Sequence, residues 1–491
     1  MAQPTTETRA PAGLASGPGG SPRRGARELL RAYPELAAAA GLLAVSLVIV
    51  LVARTRPGFD PYGWLVWGHQ TIAGNLNTNA APSWKPLPYL FVVPYAIFGH
   101  YELWLWMMSA VAVSLAGVLF AGRIAYRLTG PGAAGSRYAP ALAAAFAGLA
   151  LLGIRDYTHY ILSFQSDPMI VSLCLGAVDC HLSGRPRWAF VLGALAALGR
   201  PEVWLFLGLY AIWAWRRIPS MRWLIAAGVA VVAVFWFGIP ALTSRSPFVA
   251  GTNALGSGRA LHSGRVLGTI DRFLDLHETP LEIVALLSIV LAGIRRDLIL
   301  LTLSAGALAW VVIEIAFSLH GWPGLPRYMF AAGGVMVVLA GVGVGRLLSE
   351  LPSLVRAAGG AARSPAAGWG GAALAAVIVA SLVPAALSRA RTEHKDLRVQ
   401  RQRTLEINRL AGTISRLGGA SRLRACGEPL TRLEYQTILA WSLRVNVATV
   451  GFKYGPAIHR GKPVVLFTPH RSGWTVQALH QRSAACRRLP R

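Results

Sequence analysis

The stretch "PGFDPYGWLVWGHQ" places a single carboxylate, Asp60, among aromatic side chains directly after a long apolar run. Phe59, Tyr62 and Trp64 offer apolar and stacking surface to a ligand. A carboxylate in this setting can take the proton of an incoming hydroxyl group while a new bond forms. The alternative role of Asp60 is structural, because an acidic residue before a proline, here Pro61, is also typical of a helix start.

Cations that suit a phosphate group occur in three separate segments of the chain. Lys85 lies in "SWKPLP", Arg200 in "GRPE" and Arg327 in "GWPGLPRYMF". An ammonium group acts as a point charge, and a planar guanidinium group matches two phosphate oxygens at once. Glu202 is predicted to pair with Arg200 and hold it in place. The alternative for Arg327 is an ordinary arginine at the membrane interface. Three neighbours are added to the predicted substrate-binding residues: Trp64, His69 and Trp84.

Two further carboxylates, Asp156 and Asp167, flank the segment "YTHYILSFQS". Charged groups near the outer membrane edge are costly and therefore indicate function, so both are predicted as site candidates beside Asp60. The alternative for Asp167 is a helix cap, since Pro168 follows it. The alternative for Asp156, which follows Arg155, is a surface ion pair with that arginine.

The composition predicts a membrane scaffold for these residues. Of the 491 residues, 54% are hydrophobic and 14% are charged, whereas soluble proteins carry about 25% charged residues. Long uncharged runs recur along most of the chain, which is typical of a polytopic membrane protein. The net charge of +27 comes mostly from short arginine clusters between apolar runs, which mark cytoplasmic loops. This distribution predicts no nucleic-acid partner.

The chain divides into three predicted parts. Residues 1–33 are a disordered basic cytoplasmic arm, because they are rich in Pro, Gly, Ala, Ser and Arg. Residues 34–389 form an all-α transmembrane domain of about eleven helices. Its outer loops, 54–102 and 243–280, carry or cover the site. Residues 390–491 form a small extracytoplasmic α/β domain with a basic tail, with "NVATVGF" and "KPVVLF" as its β-like runs.

This topology puts the candidate residues on one side of the membrane. With the N-terminus in the cytoplasm, every candidate named above lies outside the membrane or at its outer edge. The helical hairpin broken at "GRPE" has halves too short for normal spans, which predicts a break inside a protein-lined cavity. Charged groups at that depth are costly to bury and therefore indicate function. The loop 243–280 either closes over a bound lipid or serves as a surface linker.

The order and common sidedness of these motifs resemble those of GT-C glycosyltransferases. The matching features are Asp60 in the first outer loop, "SWKPLP", the broken "GRPE" hairpin and "GWPGLPRYMF". More narrowly, they are similar to the actinobacterial integral-membrane type, which uses polyprenyl-phosphate sugars. The resemblance covers roughly residues 35–390 as architecture. The segment from "LRACGEPL" to "LAWSLRVNVATVGF" is similar to the small outer domain that some of these proteins carry.

The resemblance implies a function for the chain. It implies an inverting glycosyltransferase of the plasma membrane, with a polyprenyl-phosphate sugar as donor. A cell-envelope glycan, glycolipid or glycoprotein is the implied acceptor, and the outer face of the membrane is the implied location. In this family an acidic residue of the first outer loop is the base, and that role falls on Asp60. Many members have a further acidic residue in a comparable place, which implies a catalytic role for Asp156 or Asp167, either to orient the acceptor or to assist the base.

The sequence also bears on metals and disulfides. The histidines are scattered without zinc-type spacing, so no metal site and no required cofactor are predicted. A divalent cation at the carboxylates is compatible with the sequence but not indicated by it. Cys426 and Cys486 can pair if the C-terminal domain is extracytoplasmic. Cys174 and Cys180 lie in an apolar run and are predicted to be inert.

Two other functions compete with glycosyl transfer. A transporter or flippase for a lipid-linked or polar substrate would carry paired broken helices and mid-span charges. The chain has one broken hairpin without a matching second one, and Glu314 is its best mid-span acid. A non-catalytic membrane assembly factor would not need Asp60, Lys85 and Arg200 to converge.

Overall fold

The computed structural model of the protein describes most of the chain beyond residue 33. The described residues are 34–130, 138–255, 257–357, 365–459, 461–471, 473–481, 483 and 486. They form a helical membrane domain followed by a small C-terminal domain with a three-stranded sheet, which confirms the predicted fold class. The predicted arm, residues 1–33, and most of the predicted basic tail lie outside the described residues.

The first part of the membrane domain consists of helices joined by short connections. These are α1 (Pro34–Ala53), α2 (Phe59–Ile72), α3 (Pro86–Ala96), α4 (Glu102–Thr129), α5 (Ala139–Leu152), α6 (Tyr157–Leu162), α7 (Asp167–Leu182), α8 (Pro186–Gly199), α9 (Val203–Arg217) and α10 (Arg222–Ala233). Local sequence explains their ends. For example, α4 has Glu102 in its first turn and Arg127 in its last, which suits the helix dipole. Gly130, with a φ of 66°, then ends this helix.

The second part continues with longer helices. A π-helical turn, Val234–Gly238, joins α10 to α11 (Ile239–Thr243). The helices that follow are α12 (Val249–Leu255), α13 (Arg265–Leu274), α14 (Thr279–Arg295), α15 (Leu298–His320), α16 (Phe330–Ala357) and α17 (Pro365–Arg416). The predicted outer loop 243–280 therefore contains two helices, α12 and α13. A short 3₁₀ turn, Pro326–Met329, leads into α16.

The length and composition of these helices make the chain a multi-pass membrane protein. Six described helices are long and apolar enough to cross a membrane, or seven if α13 and α14, bent by 96°, form one span. The six are α1, α4, the continuous segment Pro219–Thr243, α15, α16 with its leading turn, and α17 from Ala373. The shorter apolar helices α3, α5 and α8 reach across only part of a bilayer about 30 Å thick. A total of eleven spans and a cytoplasmic N-terminus remain predictions.

Helix α16 is the most enclosed of these spans, with 83% of its apolar stretch buried. Small residues allow its neighbours to approach closely. A side chain at Gly341 would bring a Cβ atom 2.9 Å from both the Ala143 carbonyl oxygen and the Ala147 Cβ of α5. Because α16 begins just after Arg327, this packing fixes the position of that arginine.

The C-terminal domain is continuous with the last span. Helix α17 runs through the predicted boundary at residue 390 without a break. The domain then forms α18 (Gly419–Ala425), β1 (Glu428–Leu430), α19 (Gln436–Leu443), α20 (Tyr454–His459), β2 (Val464–His470) and β3 (Gly473–Leu479). Strand β2 pairs in parallel with β1 and antiparallel with β3. The prediction of a strand at "KPVVLF" is confirmed, whereas that at "NVATVGF" is wrong, because Val447–Thr449 is a 3₁₀ turn.

Helix α19 anchors the C-terminal domain to the helix that carries Asp60. The Thr437 hydroxyl donates a hydrogen bond of 2.6 Å to the Phe59 carbonyl oxygen. The rings of Trp441 and Tyr62 lie 5.4 Å apart. The C-terminal domain is therefore in direct contact with the first turns of α2.

Cys426 and Cys486 form a disulfide that closes a loop over the whole sheet, with a sequence separation of 60 residues. A loop of this length predicts a loss of about 4 kcal/mol in the free energy of unfolding when the bond is absent. We expect Cys426→Ser to lower the melting temperature of the full-length protein in detergent, and a reductant to do the same to the wild type. Cys180→Ser is the control, because Cys180 is a free cysteine. Equal melting of wild type and Cys426→Ser would contradict the prediction.

Candidate active site

Asp167 lies at the centre of a cluster of buried and partly buried charges. It begins α7 and is 2% exposed. Its carboxylate accepts a hydrogen bond from the Arg200 guanidinium group. The Lys85 Nζ atom is 3.7 Å from Asp167 Oδ1, and an Arg327 guanidinium nitrogen is 3.9 Å from Oδ2. Three cations that are far apart in the sequence therefore meet around one carboxylate.

Each member of the cluster lies where a helix begins or ends. Lys85 precedes α3, whose first residue is Pro86, and Asp167 opens α7. Arg200 occupies the break between α8 and α9, and Arg327 the turn before α16. The amino-terminal ends of α3, α7 and α16 are therefore near the cluster. Helix amino termini carry partial positive charge, which favours a bound anion.

The broken hairpin holds Arg200 rigidly. A guanidinium nitrogen of Arg200 donates a hydrogen bond of 3.2 Å to Glu202 Oε1, and the guanidinium carbon lies 3.8 Å from the centre of the Tyr328 ring. Arg200 and Glu202 are 5% and 2% exposed. The break at "GRPE" is thus buried in protein, and the pair expected from the sequence is formed.

Asp60 lies at the edge of the cluster and is more open to solvent than Asp167. Its Oδ2 atom is 3.6 Å from an Arg327 guanidinium nitrogen, and its side chain is 22% exposed, against 1% for Asp167. Helix α2 is capped by Gly58 and has no side-chain cap hydrogen bond. The capping alternative for Asp60 is therefore not observed, and Arg327 bridges the two aspartates.

The two aspartates have different chemistry because their surroundings differ. Asp167 is enclosed by three cations, which favour its ionised form and make it a weak proton acceptor. Asp60 faces one of these cations and remains accessible, as a general base must be. Asp167 also has no helix-capping hydrogen bond. Its place in the structure is that of an anchor for the cations.

One donor in the cluster has no partner within the described part of the chain. The Nε atom of Arg327 is buried without a hydrogen bond. A buried polar group left unpaired is unfavourable, so this N–H group is available to a ligand oxygen. Among the described residues, the one hydrogen bond of Lys85 Nζ is long, at 3.4 Å to Ser166 Oγ. The arrangement can accept an anionic oxygen between Lys85 and Arg327.

The two predicted tryptophans position this cluster. Trp84 is 1% exposed and donates a hydrogen bond of 2.9 Å to the Phe235 carbonyl oxygen in the π-helical turn. Its ring packs 4.9 Å from that of Trp67. Trp64 is fully buried, and Lys85 Nζ lies 5.9 Å from the centre of its ring. Both side chains therefore fix Lys85, and their contact with a substrate remains a prediction.

His69 and Asp156 lie apart from the charged cluster. His69 Nε2 is 2.7 Å from the Glu102 carboxylate. Asp156 precedes α6 with a φ of 62° and makes no side-chain cap hydrogen bond. Its neighbour Arg155 pairs with Asp275 at 3.4 Å. The substrate-binding role of His69 and the catalytic role of Asp156 remain predictions without a contact that supports them.

Sequence reasoning missed three residues that contact the cations. Tyr328 lies beneath both arginines, Tyr160 lies 5.5 Å from the Arg327 guanidinium carbon, and Ser166 accepts from Lys85. Tyr328 and Ser166 could have been identified from the sequence, because they are adjacent to Arg327 and Asp167. No sequence feature indicated Tyr160, because its contact with Arg327 depends on how α6 packs against the start of α16.

The described residues contain no group of three or more His, Cys, Asp or Glu side chains placed to hold a metal ion. The carboxylates of the cluster are already paired with cations. That no cofactor is required remains an expectation.

No family model matches the sequence, and no curated protein matches it. Among solved structures, the chain is similar to ArnT from Cupriavidus metallidurans bound to undecaprenyl phosphate, at 16% identity and a TM-score of 0.48, over 87% of this chain and 92% of that one. The apo state of that ArnT aligns at 18% identity and a TM-score of 0.48, over 88% and 93%.

A third solved structure with similarity is the oligosaccharyltransferase of Archaeoglobus fulgidus, tethered with an acceptor peptide containing the NVT sequon. It aligns at 13% identity and a TM-score of 0.43, over 84% of this chain and 64% of that one. ArnT and the archaeal oligosaccharyltransferase are GT-C superfamily glycosyltransferases, and the actinobacterial type that the motifs of this chain indicate remains a prediction. At these identities and TM-scores, no donor, acceptor or catalytic residue is transferred from those proteins to this chain.

Proposed function

We propose that the chain is an inverting glycosyltransferase that uses a polyprenyl-phosphate sugar as donor. The acceptor is a cell-envelope glycan, glycolipid or glycoprotein, and the reaction takes place on the outer face of the plasma membrane. One observation carries the proposal. A partly exposed carboxylate, Asp60, lies beside three cations at the ends of membrane helices: Arg200, which is buried, and Lys85 and Arg327, which are partly buried.

The arrangement suits the bonds that change in such a reaction. The acceptor oxygen attacks the anomeric carbon of the sugar, and its proton passes to Asp60. The bond between that carbon and the phosphate oxygen breaks, and its electron pair leaves with the polyprenyl phosphate. Lys85, Arg200 and Arg327 stabilise the negative charge that develops on the phosphate. Attack from the side opposite the departing phosphate inverts the anomeric configuration, and Asp60 later releases its proton to water.

Transfer of label in membranes tests the function. Membranes containing the wild-type chain are incubated with cell-envelope extract and with radiolabelled pentose and hexose donors linked to polyprenyl phosphate. We expect label from one donor to appear in a glycan or glycolipid product, absent in membranes that lack the chain. A transporter would move a donor without cleaving it, and an assembly factor would do neither. If every donor stays intact, the proposal is wrong.

The pH dependence of donor binding tests the role of Lys85. Burial lowers the pKa of Lys85 to about 8, with Asp167 opposing the shift and the two arginines adding to it. Because this pKa is lowered, Lys85 is charged below it and loses its charge as the pH rises through it. We expect the affinity for polyprenyl phosphate to fall up to about tenfold per pH unit above that value.

Lys85→Arg is the matched control for this pH effect. An arginine stays charged throughout the range, so the variant should bind with little change between neutral and alkaline pH. A titration of binding across that range checks both chains. The same alkaline decline in wild type and Lys85→Arg would assign the titration to another group and contradict the prediction.

A further inference from the structure

An open cavity of about 830 Å³ lies between the C-terminal domain and the outer loops. One wall comes from the segment before Lys85, a second from α12, and a third from α19 and the residues before α20. The side chains on which the argument rests are Ser83, Thr252, Asn253, Gln436, Phe452 and Lys453. The cavity is separate from the contacts among the buried charges described above.

Gln436 indicates that the cavity receives a hydrogen-bond donor. Its side chain is 5% exposed, and its Nε2 group donates to the carbonyl oxygens of Val450 at 2.7 Å and Val447 at 3.4 Å. These bonds orient the amide and leave Oε1 buried, with no partner within the described part of the chain. A buried acceptor without a donor is unfavourable. A ligand hydroxyl group would supply that donor.

The rest of the lining fits a neutral, hydroxyl-rich ligand with an apolar face. Phe452 is 41% exposed, so part of its ring is open to solvent. Lys453 Nζ lies 6.0 Å from the centre of that ring. Glu428 and Lys453 contribute one charge of each sign to the lining, and the other polar groups are hydroxyls and amides. Sugar rings combine these properties, because they stack an apolar face on an aromatic ring and direct hydroxyls to amides.

The cavity is joined to the proposed catalytic residues through short connections. Gln436 precedes Thr437, whose hydroxyl bonds the carbonyl of Phe59, the residue before Asp60. Ser83 lies two positions before Lys85 in the sequence. Pro82, the residue before Ser83, packs closely on α2, the helix that carries Asp60. A Cβ atom at Gly63 of that helix would lie 2.1 Å from the Pro82 ring. A ligand in the cavity is therefore held against the two segments that carry the base and the phosphate-binding lysine.

We propose that this cavity binds a neutral oligosaccharide, which is the acceptor of the transfer. That the bound oligosaccharide is the acceptor rests on the proposed function. The inference narrows that acceptor to a chain of uncharged sugars. The binding of a neutral oligosaccharide is inferred from the lining of the cavity and does not depend on the proposed reaction. It can therefore be measured without a donor and without turnover.

Saturation-transfer NMR on the purified full-length protein tests the inference. The probes are linear tetrasaccharides of a neutral hexose and of a neutral pentose, with a uronic acid tetrasaccharide as the anionic comparison. We expect a neutral probe to bind to the wild type. Phe452→Ala should weaken the affinity for that probe up to about tenfold, and Thr252→Trp should abolish binding by filling the cavity. Thr252 is exposed, so the larger side chain does not disturb the core.

Phe98→Ala is the control, because Phe98 is an exposed aromatic of the first outer loop that does not line the cavity. It should bind the probe as wild type does. Three results would overturn the inference: no binding of either neutral probe, tighter binding of the anionic probe, or equal binding by wild type, Phe452→Ala and Thr252→Trp. Cleavage of labelled donors is measured separately, so failure of the acceptor site and failure of the proposed function are distinguishable.

Discussion

Asp60→Asn is expected to lower the rate of sugar transfer about 10²- to 10⁴-fold, the usual contribution of a general base. The asparagine keeps the size of the side chain and loses only its ability to take the acceptor's proton. Asp60 makes no helix-capping hydrogen bond and is 22% exposed, so folding should be unaffected. The measurement is the initial rate in membranes at saturating donor, together with the melting temperature of the purified variant.

The matched control is Asp275→Asn. Asp275 lies in the predicted outer loop 243–280, has 64% side-chain exposure and pairs with Arg155, away from the cluster. It should transfer sugar at the wild-type rate. Transfer by Asp60→Asn at the wild-type rate would show that another group takes the proton. A variant that melts at a much lower temperature would instead assign Asp60 a structural role.

Asp167→Asn is expected to be the most destabilising substitution in the membrane domain's charged cluster. It leaves Lys85, Arg200 and Arg327 close together without the carboxylate that neutralises them. Removing one partner from a buried ion pair costs about 3–5 kcal/mol in the free energy of unfolding. Transfer should also fail, because the cations repel one another out of position. Thermal unfolding of the purified variant measures the first effect.

A second substitution separates this explanation from a general packing defect. In the Asp167→Asn background, Lys85→Gln removes a charge that pairs with no other carboxylate among the described residues, and it should recover part of the lost stability, a coupling that a double-mutant cycle measures. Asp271→Asn, an exposed change on α13, should melt as wild type does. If Asp167→Asn is as stable as wild type, or if Lys85→Gln lowers the stability of Asp167→Asn as much as it lowers that of wild type, then the cations do not depend on Asp167.

The sequence was sufficient to predict which residues form the charged cluster, but not how they are arranged around Asp167. Residue type and sidedness were enough to select Asp60, Lys85, Arg200 and Arg327, because charged groups at the outer membrane edge are costly and therefore few. The central place of Asp167 was not predictable. An aspartate before a proline at a helix start looks the same whether its side chain caps the helix or holds three cations.

Two differences in the C-terminal region have local physical reasons. The change from apolar to polar residues near residue 390 suggested a domain boundary, yet no glycine or proline interrupts the chain between Pro384 and Gly412, and α17 continues. The "NVATVGF" segment has β-branched residues, but the Asn446 side chain accepts a hydrogen bond of 2.7 Å from the Ala448 amide. That local bond favours a turn over a strand.

The binding of polyprenyl phosphate, compared with that of the matching polyprenol, tests the central claim most directly. The claim is that Lys85, Arg200 and Arg327 form the phosphate site beside Asp60. We expect the purified protein to bind the phosphate, and to bind the alcohol much more weakly. Lys85→Gln and Arg327→Gln should each weaken phosphate binding about 10- to 100-fold, as expected for charge-assisted hydrogen bonds. Equal binding of phosphate and alcohol, or phosphate binding unchanged in both variants, would contradict the account.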